Sequence, residues 1–307
     1  PPESSAPRAQ GPSTVIAQSQ GWPRTLVERF PDGTEARRIV LREKPQRIVS
    51  VTLATDEILV DMIGLDRIAA LSYLAPRQGS MVADRVRDCN RFVGADAESI
   101  VALKPDICFL ADYNREELRS LLVQSGVPVF VFRSYTGFED VRTNIRLVGR
   151  AVGAEPRAEE MIDEMNTKIN AVAEHLPPRR KWPTALVYGR GGWVSGIGTS
   201  QTEIFEAAGL RNAAAEADIK GFSKITEEQV LSIDPDYLVM VVNSTGMAHQ
   251  KEWLLNNTAL APLRAVQKKR FLEIEGALLA TVSHYIADTV ITLARQAYPE
   301  RFEDAGT

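Results

Sequence analysis

The sequence of 307 residues contains few of the side chains that build bare-metal sites and disulfide frameworks, with three histidines and two cysteines. Two thiols cannot define a framework, so we expect Cys89 and Cys108 to be unlinked, with a bond between them as the alternative. A bare zinc or manganese site needs several His and carboxylate ligands, and His175 lies at a predicted helix end. The sequence therefore predicts no metal site and no intrinsic cofactor.

Long apolar runs and an excess of basic charge are also missing. A membrane-spanning helix needs about 20 apolar residues, whereas the longest run, 237–242, has the length of a buried strand. The formal net charge is -4 and the Lys and Arg residues are scattered, so nucleic acid is not an expected partner. The first residues lack the basic and apolar regions of a signal peptide, which favours a processed or trimmed N-terminus.

Sequence signatures of catalysis are missing as well. The glycine-rich segment 189–198 follows a predicted strand, but it has neither the Gly-Lys-Ser/Thr of a phosphate loop nor the spacing of a dinucleotide fingerprint. Ser195 has no glycine two residues before it, as a nucleophile elbow requires. The adjacent pairs Glu159-Glu160 and Glu227-Glu228 point in different directions on predicted helices, which is typical of a solvated face. We therefore expect no enzymatic activity.

The chain does contain alternating strand and helix patterns, which predict an α/β fold with parallel sheets. Its length and its 44% of hydrophobic residues allow two cores. We predict two similar lobes, each a mostly parallel sheet flanked by helices, joined by one long linking helix. The predicted segments are a flexible leader or tether rich in Pro, Ser, Gln and Gly (1–21), the N-terminal lobe (22–137), the linking helical segment (138–178) and the C-terminal lobe (179–307).

The predicted elements follow a similar order in both lobes. In the first lobe they are a hairpin at 24–41 around Pro31-Asp32-Gly33, strands at 48–51, 68–71, 107–110 and 127–132, and helices at 58–63, from 98, and at 115–124. In the second lobe they are strands at 185–188 and 237–242, a glycine-rich loop at 189–200 and a helix at 203–208. Between the lobes, the helical spacing at 156–176 predicts a stiff link of about 30 Å that would limit hinge motion.

A sequence repeat supports the two-lobe interpretation. Segment 98–106 (ESIVALKPD) matches segment 228–236 (EQVLSIDPD), with Glu, Pro and Asp at equivalent positions. Two residues before each glutamate stands a helix-capping residue, Asp96 in one copy and Thr226 in the other. Each glutamate therefore lies in a first helical turn, where the helix dipole favours a carboxylate. A purely structural role is one explanation of the two glutamates.

The order and spacing of these segments resemble those of periplasmic binding proteins that serve ABC importers of iron-siderophores, haem and cobalamin. The resemblance runs from about residue 45 to residue 301. Its marks are 45–50 (PQRIVS), 55–59 (TDEIL), the two repeat segments, the linking helix and 208–212 (AGLRN).

The resemblance implies an exported, monomeric protein, periplasmic or tethered outside the membrane, that binds a small-molecule metal chelate. The protein would deliver this ligand to a permease with its ATPase. The resemblance also implies that Glu98 and Glu228, one on each lobe, dock onto arginines of the permease. One carboxylate per lobe would complement a two-fold partner and fix the register of docking.

The ligand is expected in a cleft between the lobes, at loops that follow the carboxyl ends of strands. Aromatic faces and cationic donors there suit large, flat or anionic chelates, although the same side chains can simply pack or be solvated. The candidates are Tyr73, Arg133, Tyr135, Arg190, Trp193, Asn243, His284 and Tyr285. In some members of the family a tyrosine in the loop of Tyr73 is an axial haem ligand, but the sequence around Tyr73 is not a close copy of that pattern.

Two other kinds of function remain as alternatives. One is a cofactor-binding enzyme or chelatase on a similar two-lobed fold, and the other is a ligand sensor or receptor subunit. The sequence leaves open whether the ligand is an iron-siderophore, haem or a corrinoid, and whether the tether carries a lipid.

Overall fold

The computed structural model of the chain forms two compact units. The N-terminal unit comprises residues 1–134 and 143–160, and the C-terminal unit comprises residues 135–142 and 161–307. The predicted linking segment, 138–178, is divided between the two units; its role as a stiff link and the predicted lobe boundaries stay predictions. The residues that the structure describes are 13–16, 21–29, 35–77, 79–111, 114–132, 136–242 and 250–303.

A three-stranded antiparallel sheet lies at the start of the N-terminal unit. Its strands, in spatial order, are β1 (Ser13–Ile16), β2 (Arg24–Arg29) and β3 (Glu35–Leu41). The pairing of β2 with β3 confirms the predicted hairpin, whose turn residues Pro31, Asp32 and Gly33 lie outside the described residues.

Strand β1 corrects the prediction of a flexible leader at residues 13–16. The segment STVI contains three consecutive β-branched residues, which favour extended structure. It pairs with β2 in a register that places Val15 opposite Val27 and Ile16 opposite Leu26. Residues 1–12 and 17–20 lie outside the described residues, so the rest of the predicted leader stays a prediction.

The main sheet of the N-terminal unit has five parallel strands in the order β6-β5-β4-β7-β8. All residues of β4, β7 and β8 are buried, as expected for parallel strands that helices cover on both faces. The strands are β4 (Ile48–Ser50), β5 (Ile68–Ser72), β6 (Phe92–Val93), β7 (Ile107–Ala111) and β8 (Val129–Phe132).

In the described part of the chain, six helices accompany this sheet or follow it. They are α1 (Leu53–Ile63), α2 (Ala83–Val86), α3 (Ala97–Ala102), α4 (Glu116–Gln124), α5 (Phe138–Val152) and α6 (Glu155–His175). Helix α6 confirms the helix predicted at 156–176, and its residues belong partly to each unit. Helix α1 is followed by Gly64, whose φ of 67° is rarely adopted by residues with a Cβ.

The C-terminal unit has its own parallel sheet, in the order β11-β9-β13-β14, and a separate two-stranded antiparallel ribbon of β10 and β12. The strands are β9 (Thr184–Val187), β10 (Trp193–Ser195), β11 (Arg211–Asn212), β12 (Phe222–Lys224), β13 (Tyr237–Val242) and β14 (Phe271–Glu275). Both units therefore have the predicted α/β class of fold.

The helices of the C-terminal unit begin after a 3-10 turn at Arg179–Lys181. They are α7 (Ser200–Ala207), α8 (Ala213–Glu216), α9 (Glu227–Ile233), α10 (Gln250–Asn256), α11 (Arg264–Gln267), α12 (Gly276–Ala280), α13 (Ile286–Ala297) and α14 (Pro299–Phe302). Throughout the described ranges, no helix combines the length and the apolar character that membrane crossing requires.

The aspartate that ends each copy of the sequence repeat has the same structural task in both units. Oδ2 of Asp106 accepts hydrogen bonds from the amides of Gln46 and Arg47, directly before β4, at 2.7 and 2.8 Å. Oδ2 of Asp236 accepts from the amide and hydroxyl of Thr184, the first residue of β9, at 2.9 and 3.1 Å. Each carboxylate thus fixes the start of the first main-sheet strand of its unit against the neighbouring strand, β7 or β13.

We predict that Asp106→Ala and Asp236→Ala each lower the free energy of unfolding by about 1 to 2 kcal/mol, because each leaves amide groups without their charged acceptor. The loss should be larger at Asp236, which also accepts from Nη1 of Arg264 at 3.2 Å. Urea unfolding of the variants measures it. Asp163→Ala, an exposed position on α6, is the control and should stay within about 0.5 kcal/mol of wild type. Equal stability of all three variants would contradict the shared role of the two aspartates.

Candidate functional site

A pocket lies in the C-terminal unit where the strand order of the sheet reverses. Strand β11 pairs with one side of β9, and β13 with β14 extends the other side. Open α/β sheets bind ligands beyond the carboxyl ends of strands at such a point. The pocket there has a volume of about 390 Å³, within the range of small-molecule sites. Its described lining includes Tyr188, Arg190, Trp193, Ser195, Phe222 and Gln250, together with glycines and aliphatic side chains.

The floor of the pocket depends on Gln250, which the sequence analysis missed. Strands β9 and β13 pair as far as Val187 opposite Val239 and then diverge. Nε2 of Gln250 donates to the carbonyl of Tyr188 at 2.7 Å, and its Oε1 accepts from the amide of Val241 at 3.2 Å. The buried amide of Gln250 therefore replaces the missing ladder bonds. This role of Gln250 is visible only in the folded chain, because Gln250 and Tyr188 are distant in sequence.

The mouth of the pocket is formed by the β10–β12 ribbon, and strand β10 corrects the predicted glycine-rich loop, 189–200, at residues 193–195. Trp193 lies opposite Lys224, and Ser195 lies opposite Phe222. Trp193 is 51% exposed and Phe222 is 70% exposed, although apolar rings of this size are usually covered. Trp193 was predicted as a ligand contact, whereas Phe222 was missed.

Two glycines allow the ribbon to form. Gly196 approaches the chain so closely that a Cβ there would lie 1.8 Å from the carbonyl oxygen of Ile219. Gly192 has a φ of 69°, and a Cβ there would lie 2.8 Å from the carbonyl oxygen of Ile225. At these two positions the close neighbour is the protein backbone.

Arg190 gives the pocket its charge. Among the described residues that line this pocket, only Arg190 carries a charged side chain, and that side chain is exposed. The rest of the lining offers aromatic faces and a few hydrogen-bonding groups. Burial raises the pKa of Tyr188, and the carboxylates of Glu227 and Glu228 raise it further. The pocket therefore combines one cationic donor with apolar walls, which suits an anionic ligand with a large apolar part.

Tyr73 lies in the N-terminal unit, directly after β5, with 48% of its surface exposed. The guanidinium of Arg77 stands over its ring, 4.9 Å from the ring centroid, in cation–π geometry. The amide of Tyr73 donates to the carbonyl of Val93, the last residue of β6, at 2.8 Å. These contacts hold an exposed phenol at the carboxyl end of a strand, as the sequence predicts.

The turn that carries Tyr73 is held from below by the fully buried carboxyl of Asp56. Oδ1 of Asp56 accepts from the amide of Ser72 at 3.1 Å, and its Oδ2 accepts from the Ser72 hydroxyl. Burial raises the pKa of Asp56 from 3.8 to about 7, and hydrogen bonds from Ser50 and Ser72 partly oppose that rise. A titratable group therefore supports the backbone next to a candidate ligand residue.

The other candidate ligand residues stay predictions. His284 and Tyr285, between α12 and α13, are half-buried with ring centroids 4.3 Å apart, and they do not belong to the described lining of the pocket. Arg133, Tyr135 and Asn243 lie outside the described residues.

The two repeat glutamates have equivalent positions. Glu98 and Glu228 are each the second residue of a helix, α3 or α9, and both are exposed. The predicted caps are confirmed: Oδ1 of Asp96 accepts from the amide of Ser99 at 2.9 Å, and Thr226 forms a capping box. A hydrogen bond from Thr226 lowers the pKa of Glu228, so this carboxyl is ionised at neutral pH. Their role in docking stays a prediction.

Metal ligands and reactive thiols do not converge in the described part of the chain. There, no three His, Cys, Asp or Glu side chains come close enough to hold a metal ion together. Both cysteines have free thiols, as expected. Cys108 is buried in β7, and burial raises the pKa of its thiol to about 12, so this thiol is not activated.

Comparison with known proteins identifies the family. The family model described as periplasmic binding protein matches residues 48–278. The chain belongs to this family. A curated relative of this periplasmic binding protein is an uncharacterized ABC transporter substrate-binding lipoprotein of Bacillus subtilis, 22% identical over 91% of the chain and 89% of the relative.

Solved structures agree with this assignment of the fold. A periplasmic heme-binding protein from Roseiflexus sp. RS-1 superposes with a TM-score of 0.70 at 22% identity, covering 82% of the binding protein and 99% of that chain. The molybdate-bound periplasmic binding protein of Haemophilus influenzae superposes with a TM-score of 0.72 at 20% identity, covering 87% and 90%. At these identities the likeness establishes the fold and leaves the ligand open.

We predict that Asp56 makes the binding protein less stable as the pH rises from about 4 to about 7. In this window the folded chain keeps a proton on Asp56 that the unfolded chain, with a pKa of 3.8, has released. The contribution of Asp56 to the free energy of unfolding should therefore fall by about 1 kcal/mol per pH unit and level off above pH 7. The measurement is the difference between wild type and Asp56→Asn in urea unfolding at pH 5 and pH 8. A difference that does not change with pH would contradict the raised pKa.

Proposed function

We propose that this periplasmic binding protein is the substrate-binding component of an ABC importer, and that it captures a metal chelate outside the cytoplasmic membrane. It has no catalysis of its own and delivers its ligand to a permease with an associated ATPase. The curated relative from Bacillus subtilis, which is named an ABC transporter substrate-binding lipoprotein, supports the importer. It also supports a protein tethered outside the membrane.

The observation that carries the proposal is the pocket at the carboxyl ends of β9 and β13. Its position is where open α/β sheets bind ligands, because the loops diverge there. Exposed aromatic faces at its mouth, from Trp193 and Phe222, offer contact area to a flat or bulky ligand. Arg190 offers a donor for the carboxylates or other anionic groups that haem, corrinoids and ferric siderophores carry.

The lining favours a chelate over a bare oxyanion such as the molybdate of the Haemophilus influenzae protein. A small tetrahedral anion is held by several converging hydrogen-bond donors, because each oxygen that leaves water needs a partner. In this pocket the described lining is mostly aromatic, aliphatic and glycine, with Arg190 as its charged donor. Such walls pack against the large apolar framework of a chelate, whereas the oxygens of a bare oxyanion would lack hydrogen-bond donors there.

The same features argue against the two alternatives. A phosphate-binding cofactor enzyme would use the glycine-rich segment as an anion cradle, but Gly192 and Gly196 lie against protein backbone. A sensor that binds another protein would use the exposed rings of Trp193 and Phe222 but would not need the pocket that these rings line. Measured turnover would support the enzyme, and partner binding without any small ligand would support the sensor.

For docking we propose Glu98 and Glu228 as the contacts with the permease. They stand at equivalent positions of a repeated helix, one in each unit, and are exposed. The neighbouring Glu227 instead accepts a hydrogen bond from Nδ2 of Asn257 at 2.7 Å. Exposed charges at matching positions fix the register in which a two-fold partner docks, and they add less to the affinity of docking.

We predict that one of four probes, haemin, cyanocobalamin, ferrichrome or ferric enterobactin, raises the melting temperature of the protein, because a ligand of the folded state stabilises it. For the probe that binds, Arg190→Gln and Trp193→Ala should each weaken binding about tenfold or more, the factor that corresponds to losing one charged or aromatic contact. Arg180→Gln, exposed in the same unit and away from the pocket, is the matched control. Molybdate is tested in the same assay. If molybdate binds and none of the four chelates does, or if nothing binds, the chelate proposal is wrong.

We predict that Glu98→Arg and Glu228→Arg each abolish import of the chelate in cells and leave the affinity of the isolated protein for the chelate unchanged. Like charges facing permease arginines repel at close range. Glu117→Arg is the matched control, because Glu117 is exposed and is also the second residue of its helix, α4. Import at the wild-type level in either variant would contradict the docking role.

A further inference from the structure

The pocket and the docking glutamate of the C-terminal unit belong to one short segment of chain. Phe222, in the pocket wall, opens β12, and β12 ends at Lys224. Ile225 and the helix cap Thr226 follow, and Glu228 is the second residue of α9. The carboxylate proposed for docking therefore stands only six positions along the chain after a ring at the mouth of the pocket.

Ile225 fastens this segment to the glycine loop of the pocket. Its amide donates to the carbonyl of Gly192 at 2.8 Å, and its side chain is buried. Gly192 stands between Gly191 and Trp193, both of which line the pocket. Because Gly192 has no Cβ, the two backbones lie in direct contact. A shift of Ile225 must therefore move the loop that carries Trp193.

Thr226 fastens the same segment to α9. Its amide donates to Oε1 of Gln229 at 2.9 Å, and its hydroxyl accepts from the amide of Gln229 at 3.3 Å. This reciprocal capping box fixes the first turn of the helix, where Glu228 lies. Glu228 also acts electrostatically on the pocket wall, because its negative charge contributes to the raised pKa of Tyr188.

The N-terminal unit repeats the arrangement with different residues. Strand β6 ends at Val93, whose carbonyl accepts from the amide of Tyr73 at 2.8 Å. The helix cap Asp96 follows three residues later and leads into α3 with Glu98. In each unit, a strand that holds a candidate ligand segment continues into the helix that bears an exposed glutamate.

We infer that Ile225 and Thr226 are positioning residues that tie the docking carboxylate of Glu228 to the aromatic ribbon of the pocket. Displacement of α9 when the permease docks moves Trp193 and Phe222 and changes the affinity for the ligand. The inference rests on the proposed function. The segment is the physical connection through which the two sites would influence each other. Reciprocity then makes ligand binding change the affinity for the permease by the same factor.

Amide hydrogen exchange by NMR on the full chain, without ligand or permease, tests this link. Thr226→Ala removes the cap of α9. The amides of Ile225 and Gly196, which hold the pocket loop and the ribbon, should then exchange about fivefold faster, the factor expected from the loss of one cap if the two elements open together. The amide of Tyr73 should not change. Thr226→Ser should restore slow exchange, since serine caps helices as well as threonine.

Asp96→Ala is the matched control, because it removes the corresponding cap of α3. It should speed the exchange of the Tyr73 amide and leave Ile225 and Gly196 unchanged. If Thr226→Ala loosens the amides of α9 alone, with Ile225 and Gly196 as slow as in wild type, the inference is wrong. This result would not depend on the ligand screen or on import, so failure of the coupling and failure of the proposed function are distinguishable.

Discussion

The pairing of β9 with β13 determines where the pocket of the C-terminal unit forms. At one end, Asp236 fixes the start of β9 through Thr184. At the other end, the strands diverge and the amide of Gln250 spans the opening. The pocket exists because parallel strands are held together along their length and released at their carboxyl ends. Both ends depend on polar side chains whose loss would leave backbone groups without partners.

This constraint explains the character of the pocket. The residues of both strands are mostly buried and apolar, so the polar side chains of the pocket come from the segments that follow the strands. The segment after β9 supplies Arg190 and, after a glycine-dependent turn, Trp193. The ribbon then adds Phe222 from a distant part of the sequence. A flexible polar loop would offer hydrogen bonds, whereas a paired ribbon presents ring faces in fixed positions, which favours recognition by shape and stacking.

Sequence reasoning could find the elements whose signals are local. Apolar runs predicted the buried strands, and capping residues located the helices that carry Glu98 and Glu228. Arg190 and Trp193 were found because they follow a predicted strand. Gln250 could not be found, because its role is to join Tyr188 and Val241 across the end of the sheet. Phe222 has no local signal either, because its partner strand begins about 30 residues earlier. Glycines also hid β10, since they are rare in strands unless another backbone approaches closely.

The different environments of the two cysteines have a practical consequence for spectroscopy. Cys108 is enclosed in the sheet, while Cys89 is half-buried in the segment that leads into β6. A maleimide dye should therefore attach to Cys89 alone, without removal of the other thiol. This natural labelling position lies four residues before Val93, which holds the backbone of Tyr73. The unaltered chain can thus carry a single fluorescent reporter beside the loop of that phenol.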